Sequence, residues 1–227
     1  MNEAVETQDT GSIRWISLNR PRAANAIDTA LADGLAAALS AAESDASVTA
    51  VVLTGAGTRV FCAGIDIRNG ESAEARRRNL RTCLWSILDF PKPLVAAVNG
   101  IASGGGCMMA LLADRRVMAN ETAMVLPEID IGIPAFPALG ILSRLMGDAL
   151  AGDLVLSARR FSAAEAGRWG LATVVSADAL VATADEQAAQ LGAKPADTYR
   201  LSKTWLNNRM RAAIDDAMAD GEKLRGS

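Results

Sequence analysis

The spacing of apolar and polar positions changes period several times along this chain. Ile13 to Leu18 alternates, with Ile13, Trp15 and Ile16 among its apolar positions, and predicts a strand that Asn19-Arg20-Pro21 ends. Asp28 or Thr29 can cap a helix in which Leu31, Leu35 and Leu39 recur at helical spacing to about Ala42. Ala50 to Thr54 is a short apolar run that reads as a buried strand, turned by Gly55-Ala56-Gly57. Val60 to Asp66 predicts a brief strand broken at a glycine, and Glu71 to Leu88 a helix. Phe90 to Pro93 links it to a second apolar run, Leu94 to Val98. Later strands are expected at Arg116–Ala119, Ala123–Val125 and Leu171–Val175, and later helices at Pro137–Met146, Ala149–Ser157 and from Ser162 to Gly170. From Ala177 onward the pattern is helical, with a break at Lys194-Pro195. Strands and helices thus alternate to Val175 and a helical tail follows, which argues a mixed α/β domain with a helical appendage.

The stretch from Val98 to Asp114 organises the rest. A buried strand runs into three consecutive glycines, Gly104 to Gly106, and then into an apolar segment of helical length stopped by Asp114, Arg115 and Arg116. A strand, a glycine turn and a helix start leave free backbone N–H groups at a helix N-terminus, where an anion or a developing oxyanion is held. A plainer reading stands beside this one, in which the glycines only allow tight packing.

Composition narrows the chemistry. Half of the 227 residues are hydrophobic, aromatic residues are few, and the net charge is −3 with no long basic block, which gives no support for nucleic-acid binding. Leu94 to Ala113 carries no charge and is long enough to span a membrane, but Asn99, Ser103 and four glycines mark it as strand, turn and helix of a soluble core. Met1 to Gly11 lacks the basic and apolar regions of a signal peptide. Three scattered cysteines give neither a disulfide framework nor zinc spacing, and a cytoplasmic location is expected. There is no histidine, so His-based triads and metal sites are excluded and proton transfer falls to a carboxylate, a lysine, a cysteine, the one tyrosine or water.

Among the acids Glu128 stands out, in an otherwise apolar, proline-bounded loop with Leu126, Ile129, Ile131 and Ile133. Desolvation there raises a carboxyl pKa toward the working range of a general base. The alternative is an exposed loop tip with Glu128 and Asp130 in water. Asp66 reads as a turn cap, Asp114 as a helix stop, Cys62 and Cys107 as small core residues, and Arg76, Arg77, Arg78 and Arg81 as a solvated helix face.

Several stretches together carry a resemblance. They are Leu18-Asn19-Arg20-Pro21 with Asn25-Ala26, Val51 to Gly55, Phe61 to Asp66, Lys92-Pro93 with Ala97 to Gly100, Gly104 to Cys107, Pro127-Glu128, Gly132-Ile133, and Ala163 to Ala166 through Gly170 to Ala172. In this set the chain resembles the crotonase superfamily, the enoyl-CoA hydratase/isomerase family, from about Ile13 to Val175. The resemblance implies an α/β fold, a crotonase-like spiral of short ββα units with a C-terminal helical region. Residues 1–175 would form the acyl-CoA-binding core and 176–227 a helical oligomerisation and lid region.

It also implies a site. Two backbone N–H groups, assigned by motif to Ala63 and Gly105, would hold the thioester oxygen of an acyl-CoA, and Glu128 would handle the proton. Ala24, Ala63, Gly64, Ile65, Asp66, Gly104, Gly105 and Met108 would line the substrate, with Arg22 and Arg68 meeting CoA phosphates. Coenzyme A enters as part of the substrate, and no metal or redox cofactor is implied. A homotrimer or dimer of trimers is expected, with no nucleic-acid or membrane partner.

One departure decides the expected reaction. Family hydratases carry two glutamates, and the first of those positions is Met108 here. Adding water suits a pair of carboxylates, whereas moving a double bond from C3 to C2 needs one base that takes a proton from C2 and returns it at C4. The expectation is a Δ3-to-Δ2 enoyl-CoA isomerase. The alternatives are a hydratase using Asp130 or a distant acid, another crotonase-type acyl-CoA reaction, or a non-catalytic acyl-CoA-binding paralogue.

Overall fold

The computed structural model describes residues 3–226. Strands β1 (Val5–Thr10) and β2 (Ile13–Leu18) form an antiparallel pair, and α1 (Thr29–Ser44) follows. Next come β3 (Ala50–Gly55), β4 (Val60–Cys62) and α2 (Ala73–Asp89), then β5 (Leu94–Val98), β6 (Ile101–Ser103) and α3 (Gly105–Leu112). Strands β7 (Arg115–Ala119) and β8 (Ala123–Val125) lead to α4 (Phe136–Met146) and α5 (Asp148–Ser157). The chain ends through β9 (Phe161–Ser162), α6 (Ala163–Arg168), β10 (Thr173–Val175), α7 (Leu180–Gly192) and α8 (Ala196–Gly226).

Two sheets take alternate strands. One has the order β1-β2-β3-β5-β7-β10, the other β4-β6-β8-β9. Each of β3, β5 and β7 hands on to β4, β6 and β8 in the second sheet, and a helix follows each of the first two pairs. This is the expected spiral of ββα units. Its repeat is one of topology, carried by strands of three residues in the second sheet, too short to leave a periodic trace in the sequence.

The larger sheet is buried on both faces, which is why its strands read as continuous apolar runs. On β3 and β5, Val51, Leu53, Leu94, Ala96 and Val98 enter the main core, while Ala50, Val52, Val95 and Ala97 face a second cluster. Leu180, Ala184 and Ala188 of α7 cover that second cluster. Packing therefore continues across the expected boundary at Val175, and α7 belongs to the sheet it covers. The apolar run Leu94–Ala113 divides into β5, β6 and α3, and among the described residues no helix is long and apolar enough to cross a membrane.

Signature residues hold the connections. The Lys92 ammonium donates to the carbonyls of Ala42, Asp45 and Val48, closing the C-terminus of α1. Asn25 donates to the carbonyls of Ala56 and Val60, and Asn99 to those of Gly55 and Gly57. The acidic N-terminal stretch forms an edge strand, β1, whose exposed polar side chains hid it from a reading by hydrophobicity. The arginines of α2 are not a solvated face alone: Arg76 donates to the Ile67 carbonyl, Arg78 to Asn79 and Thr29, and Arg81 lies over the Trp85 ring.

Candidate active site

Strand register in the smaller sheet assembles the site. Strands β4, β6 and β8 run parallel, with Cys62 opposite Ala102 and Ser103 opposite Val125. Gly64-Ile65 therefore leaves the end of β4, Gly104-Gly105 the end of β6, and Glu128 the end of β8, side by side. Ligands of parallel sheets bind at these carboxyl ends.

Glycine brings the first two segments together. Gly64 has φ +86° and Gly104 φ +51°, both in the region that favours glycine. A Cβ added to Gly64 would stand 2.8 Å from the Ser103 carbonyl oxygen and 3.2 Å from the Gly105 nitrogen. At Gly105 the same atom would meet side-chain methyls of Leu80 and Ile27 at 2.9 and 3.0 Å. Gly105 is thus packed against these two side chains with no room for a Cβ.

The free donors differ from those expected. The Ala63 N–H donates to the Ala24 carbonyl at 3.1 Å, so both of these main-chain groups are already engaged. The free group is two peptides further on, past the Gly64 N–H, which donates to Cys62 Sγ at 3.4 Å. The Gly64 carbonyl accepts from the Ile27 N–H at 2.7 Å, and in a trans peptide the Ile65 N–H points the opposite way. Among the described residues neither the Ile65 nor the Gly105 N–H has an acceptor, and Gly105 is the first residue of α3, where the helix dipole adds to its N–H.

Glu128 opens a 3-10 turn, Glu128–Ile131, which Gly132 closes at φ +71°. Its carbonyl accepts from Ile133 N–H at 2.9 Å, which pins the main chain. The residue is half-buried, its Oε2 is shut off from water and unpartnered, and Oε1 lies 3.0 Å from where a Cβ on Gly104 would be. Burial raises the Glu128 pKa above the usual carboxylate range, and its own backbone N–H opposes part of the rise. The exposed-tip reading is thereby corrected for Glu128 and holds for Asp130, which is exposed.

Other expected residues fall out as follows. Met108 is buried one turn into α3, so the position holds an apolar side chain in the core. Asp66 commits its carboxylate to Arg20 at 3.0 Å and to the Arg68 N–H at 3.1 Å, and so is spent on protein contacts. Arg22 and the Arg68 side chain are exposed near the rim. Cys62 and Cys107 are fully buried, and burial pushes the Cys62 thiol up to about 12, so both are core residues and not nucleophiles. Asp114 does more than end α3: it accepts from the Leu94 N–H and from Lys203 of α8.

A pair of free N–H groups beside a desolvated carboxyl suits removal of a proton next to a carbonyl, with the developing oxyanion held by fixed donors. The family model for enoyl-CoA hydratase/isomerase matches residues 8–224. The chain belongs to the enoyl-CoA hydratase/isomerase family. It is 36% identical over 222 residues to a short-chain-enoyl-CoA hydratase of Clostridium acetobutylicum, covering 95% of this chain and 85% of that one. It is 33% identical over 233 residues to a carnitinyl-CoA dehydratase of Proteus mirabilis, covering 100% and 87%. Among solved structures, a carnitinyl-CoA hydratase from Mycobacterium avium superposes with a TM-score of 0.86 at 28% identity, over 99% of this chain and 91% of that one. An enoyl-CoA hydratase from Bacillus anthracis gives 0.81 at 30% identity, over 96% and 91%. The family membership makes the chain an acyl-CoA enzyme by descent, and the ββα spiral is the fold of those hydratases.

Proposed function

We propose that this family member moves the double bond of a 3-enoyl-CoA to position 2, with Glu128 as the one base and acid. The thioester oxygen accepts from the Ile65 and Gly105 N–H groups. Glu128 takes a proton from C2, and the electron pair of that C–H bond spreads over a dienolate from the thioester oxygen to C4. The same carboxyl returns the proton at C4, leaving the double bond between C2 and C3. Charge that builds on the oxygen meets donors already in place, each worth about 3–4 kcal/mol of barrier.

The observation that carries this reading is the isolation of Glu128. Its carboxyl stands against Gly104, at the start of the helix that presents the Gly105 N–H. Its raised pKa comes from burial alone, with no charged side chain contributing. Met108 leaves the neighbouring position without a group to hold or activate a water. A desolvated lone carboxyl favours returning its proton to the dienolate.

Hydration of a 2-enoyl-CoA is the second reading, favoured by the names of the relatives, hydratases and dehydratases. It would have to run without a glutamate at the Met108 position, on Glu128 alone or with another acid. We further propose that Arg22 and Arg68 meet the CoA phosphates, and that the chain works in the cytoplasm as a homotrimer or dimer of trimers, which sedimentation will test. The deciding experiment is turnover of a 3-enoyl-CoA and a 2-enoyl-CoA side by side, with Glu128→Gln as control. Isomerisation lost in the variant supports the proposal; rapid hydration of the 2-enoyl substrate with no isomerisation replaces it with the second reading.

A further inference from the structure

We infer that Arg20 is a positioning residue for the oxyanion site: its guanidinium staples together the two chain segments whose pairing aims the Ile65 N–H. The inference rests on the proposed role of that N–H.

The pairing is minimal. Ile27 and Ile65 form an isolated parallel bridge of two hydrogen bonds, Ile27 N–H to the Gly64 carbonyl at 2.7 Å and Asp66 N–H to the Ile27 carbonyl at 2.9 Å. These two bonds set both peptide planes around Ile65, and hence the direction in which its N–H points. No ladder continues the bridge on either side, and the segment that follows, from Ile67 to Gly70, is exposed. One further bond, from the Ala63 N–H to the Ala24 carbonyl, ties the two segments ahead of the bridge. So few bonds beside an exposed segment open readily unless something else holds the strands.

Arg20 supplies that hold from both sides. Its guanidinium donates to the Ala26 carbonyl and pairs with Asp28 Oδ2 at 3.0 Å, the residues before and after Ile27. It also donates twice to Asp66 Oδ2, at 3.0 Å each, the residue after Ile65. One rigid, planar cation thus brackets the bridge on three corners. Side-chain exposures of 21% for Arg20, 17% for Asp28 and 12% for Asp66 keep these pairs mostly out of solvent. The Arg20 main chain is itself fixed, its N–H by Asn25 Oδ1 and its carbonyl by the Ala23 and Asn25 N–H groups. A lysine would satisfy one corner as a point charge, not three as a fork.

The experiment separates positioning from ligand contact and from simple support of the fold. Butanoyl-CoA, carbon-13 labelled at the thioester carbonyl, is bound to the wild-type protein and to Arg20→Gln, Arg20→Lys and the milder Asp66→Asn, and the carbonyl stretch is read by infrared difference. Free CoA affinity and turnover of the 3-enoyl-CoA are measured alongside. We expect the wild type to shift the stretch to lower frequency. Arg20→Gln should lose much of that shift and about 100-fold in kcat, with the Kd for free CoA held within about twofold. Asp66→Asn should lose less, and Arg20→Lys should recover part. A full carbonyl shift in Arg20→Gln and Asp66→Asn overturns the inference, whether melting temperature or CoA affinity falls. No shift in the wild type itself removes the oxyanion reading, and the staple's role goes with it.

Discussion

Glu128 hangs its carboxylate over Gly104, with Oε1 3.0 Å from the place a Cβ on that glycine would take. The base and the helix start that presents the Gly105 donor therefore meet at a position, φ +51°, where any side chain would be strained and would press on the carboxylate. The raised pKa of Glu128 follows from the same closeness, since the main chain and apolar neighbours replace water around the carboxyl.

This sets a pH dependence. The deprotonated carboxylate is the base, so kcat/KM should rise with pH through a pKa above the ordinary glutamate value and then level. Glu128→Gln should lower kcat by about 10²–10⁴-fold across the range. A wild-type profile flat down to the ordinary carboxylate range would contradict the burial argument.

Stability should respond with the opposite sign. A folded-state pKa raised above the unfolded value means the native protein binds more protons in the window between them. Wild-type stability from this group is fully present below the unfolded pKa and is lost as pH rises through the folded one. Glu128→Gln removes the penalty. Its melting temperature should exceed that of the wild type at neutral pH, and the difference should vanish near pH ~4, close to the unfolded value.

Met108→Glu tests why one carboxyl is the relevant number. The new acid would enter a position that is 2% exposed, so it should cost about 1–3 kcal/mol in stability, read by denaturant titration. If a partner carboxyl is what hydration lacks, this variant should hydrate a 2-enoyl-CoA faster than the wild type does. Unchanged hydration in a folded variant would trace the reaction preference elsewhere.

Gly64→Ala should damage the site more than the fold. Its φ of +86° strains any L residue, and the added methyl would stand 2.8 Å from the Ser103 carbonyl oxygen. We expect a loss of about 1–3 kcal/mol in stability. The displacement presses on the Gly105 nitrogen, so kcat should fall by about 10²-fold. Calorimetry and single-turnover kinetics distinguish the two effects.

Lys203 binds α8 to the far end of α3. Its ammonium, 5% exposed, donates to Asp114 at 2.7 Å and to the Lys92 carbonyl at 2.8 Å. Lys203→Met should cost about 3 kcal/mol because the buried ion pair loses its cation. Adding Asp114→Asn should recover part of that loss in a double-mutant cycle.

Much of this was legible in the sequence, for identifiable reasons. Strand β2 announced itself by alternation, and β3 and β5 because both faces are buried and nearly every residue is apolar. Helix α1 was framed by the Asp28 cap, and α6 by Ser162 and Glu165, which form a reciprocal capping box. Strands β1, β6 and β9 were missed, the first because it is polar and at an edge, the second because its three residues lie in the stretch read as a turn between Gly100 and Gly104, the third because it spans two residues. Arg20 passed as part of a strand-ending turn, since nothing in Asn19-Arg20-Pro21 reveals that its side chain reaches Asp28 and Asp66.

The sequence alone determined which residues could carry proton chemistry, by leaving out histidine, and it singled out Glu128 in an otherwise apolar loop. Whether that carboxyl is desolvated was decided by the tertiary structure, which leaves Ile129, Ile131 and Ile133 exposed and half-buries Glu128 against Gly104. The sequence also marked the glycines where main chain would be laid bare. What it could not decide was which N–H is free. Ala63 and Ile65 both flank Gly64, and a motif does not distinguish them. Only the tertiary structure spends the Ala63 donor on the Ala24 carbonyl and turns Ile65 outward through the bridge to Ile27. The reason is physical: a backbone N–H has no side-chain identity, so its availability depends on what the rest of the chain places in front of it.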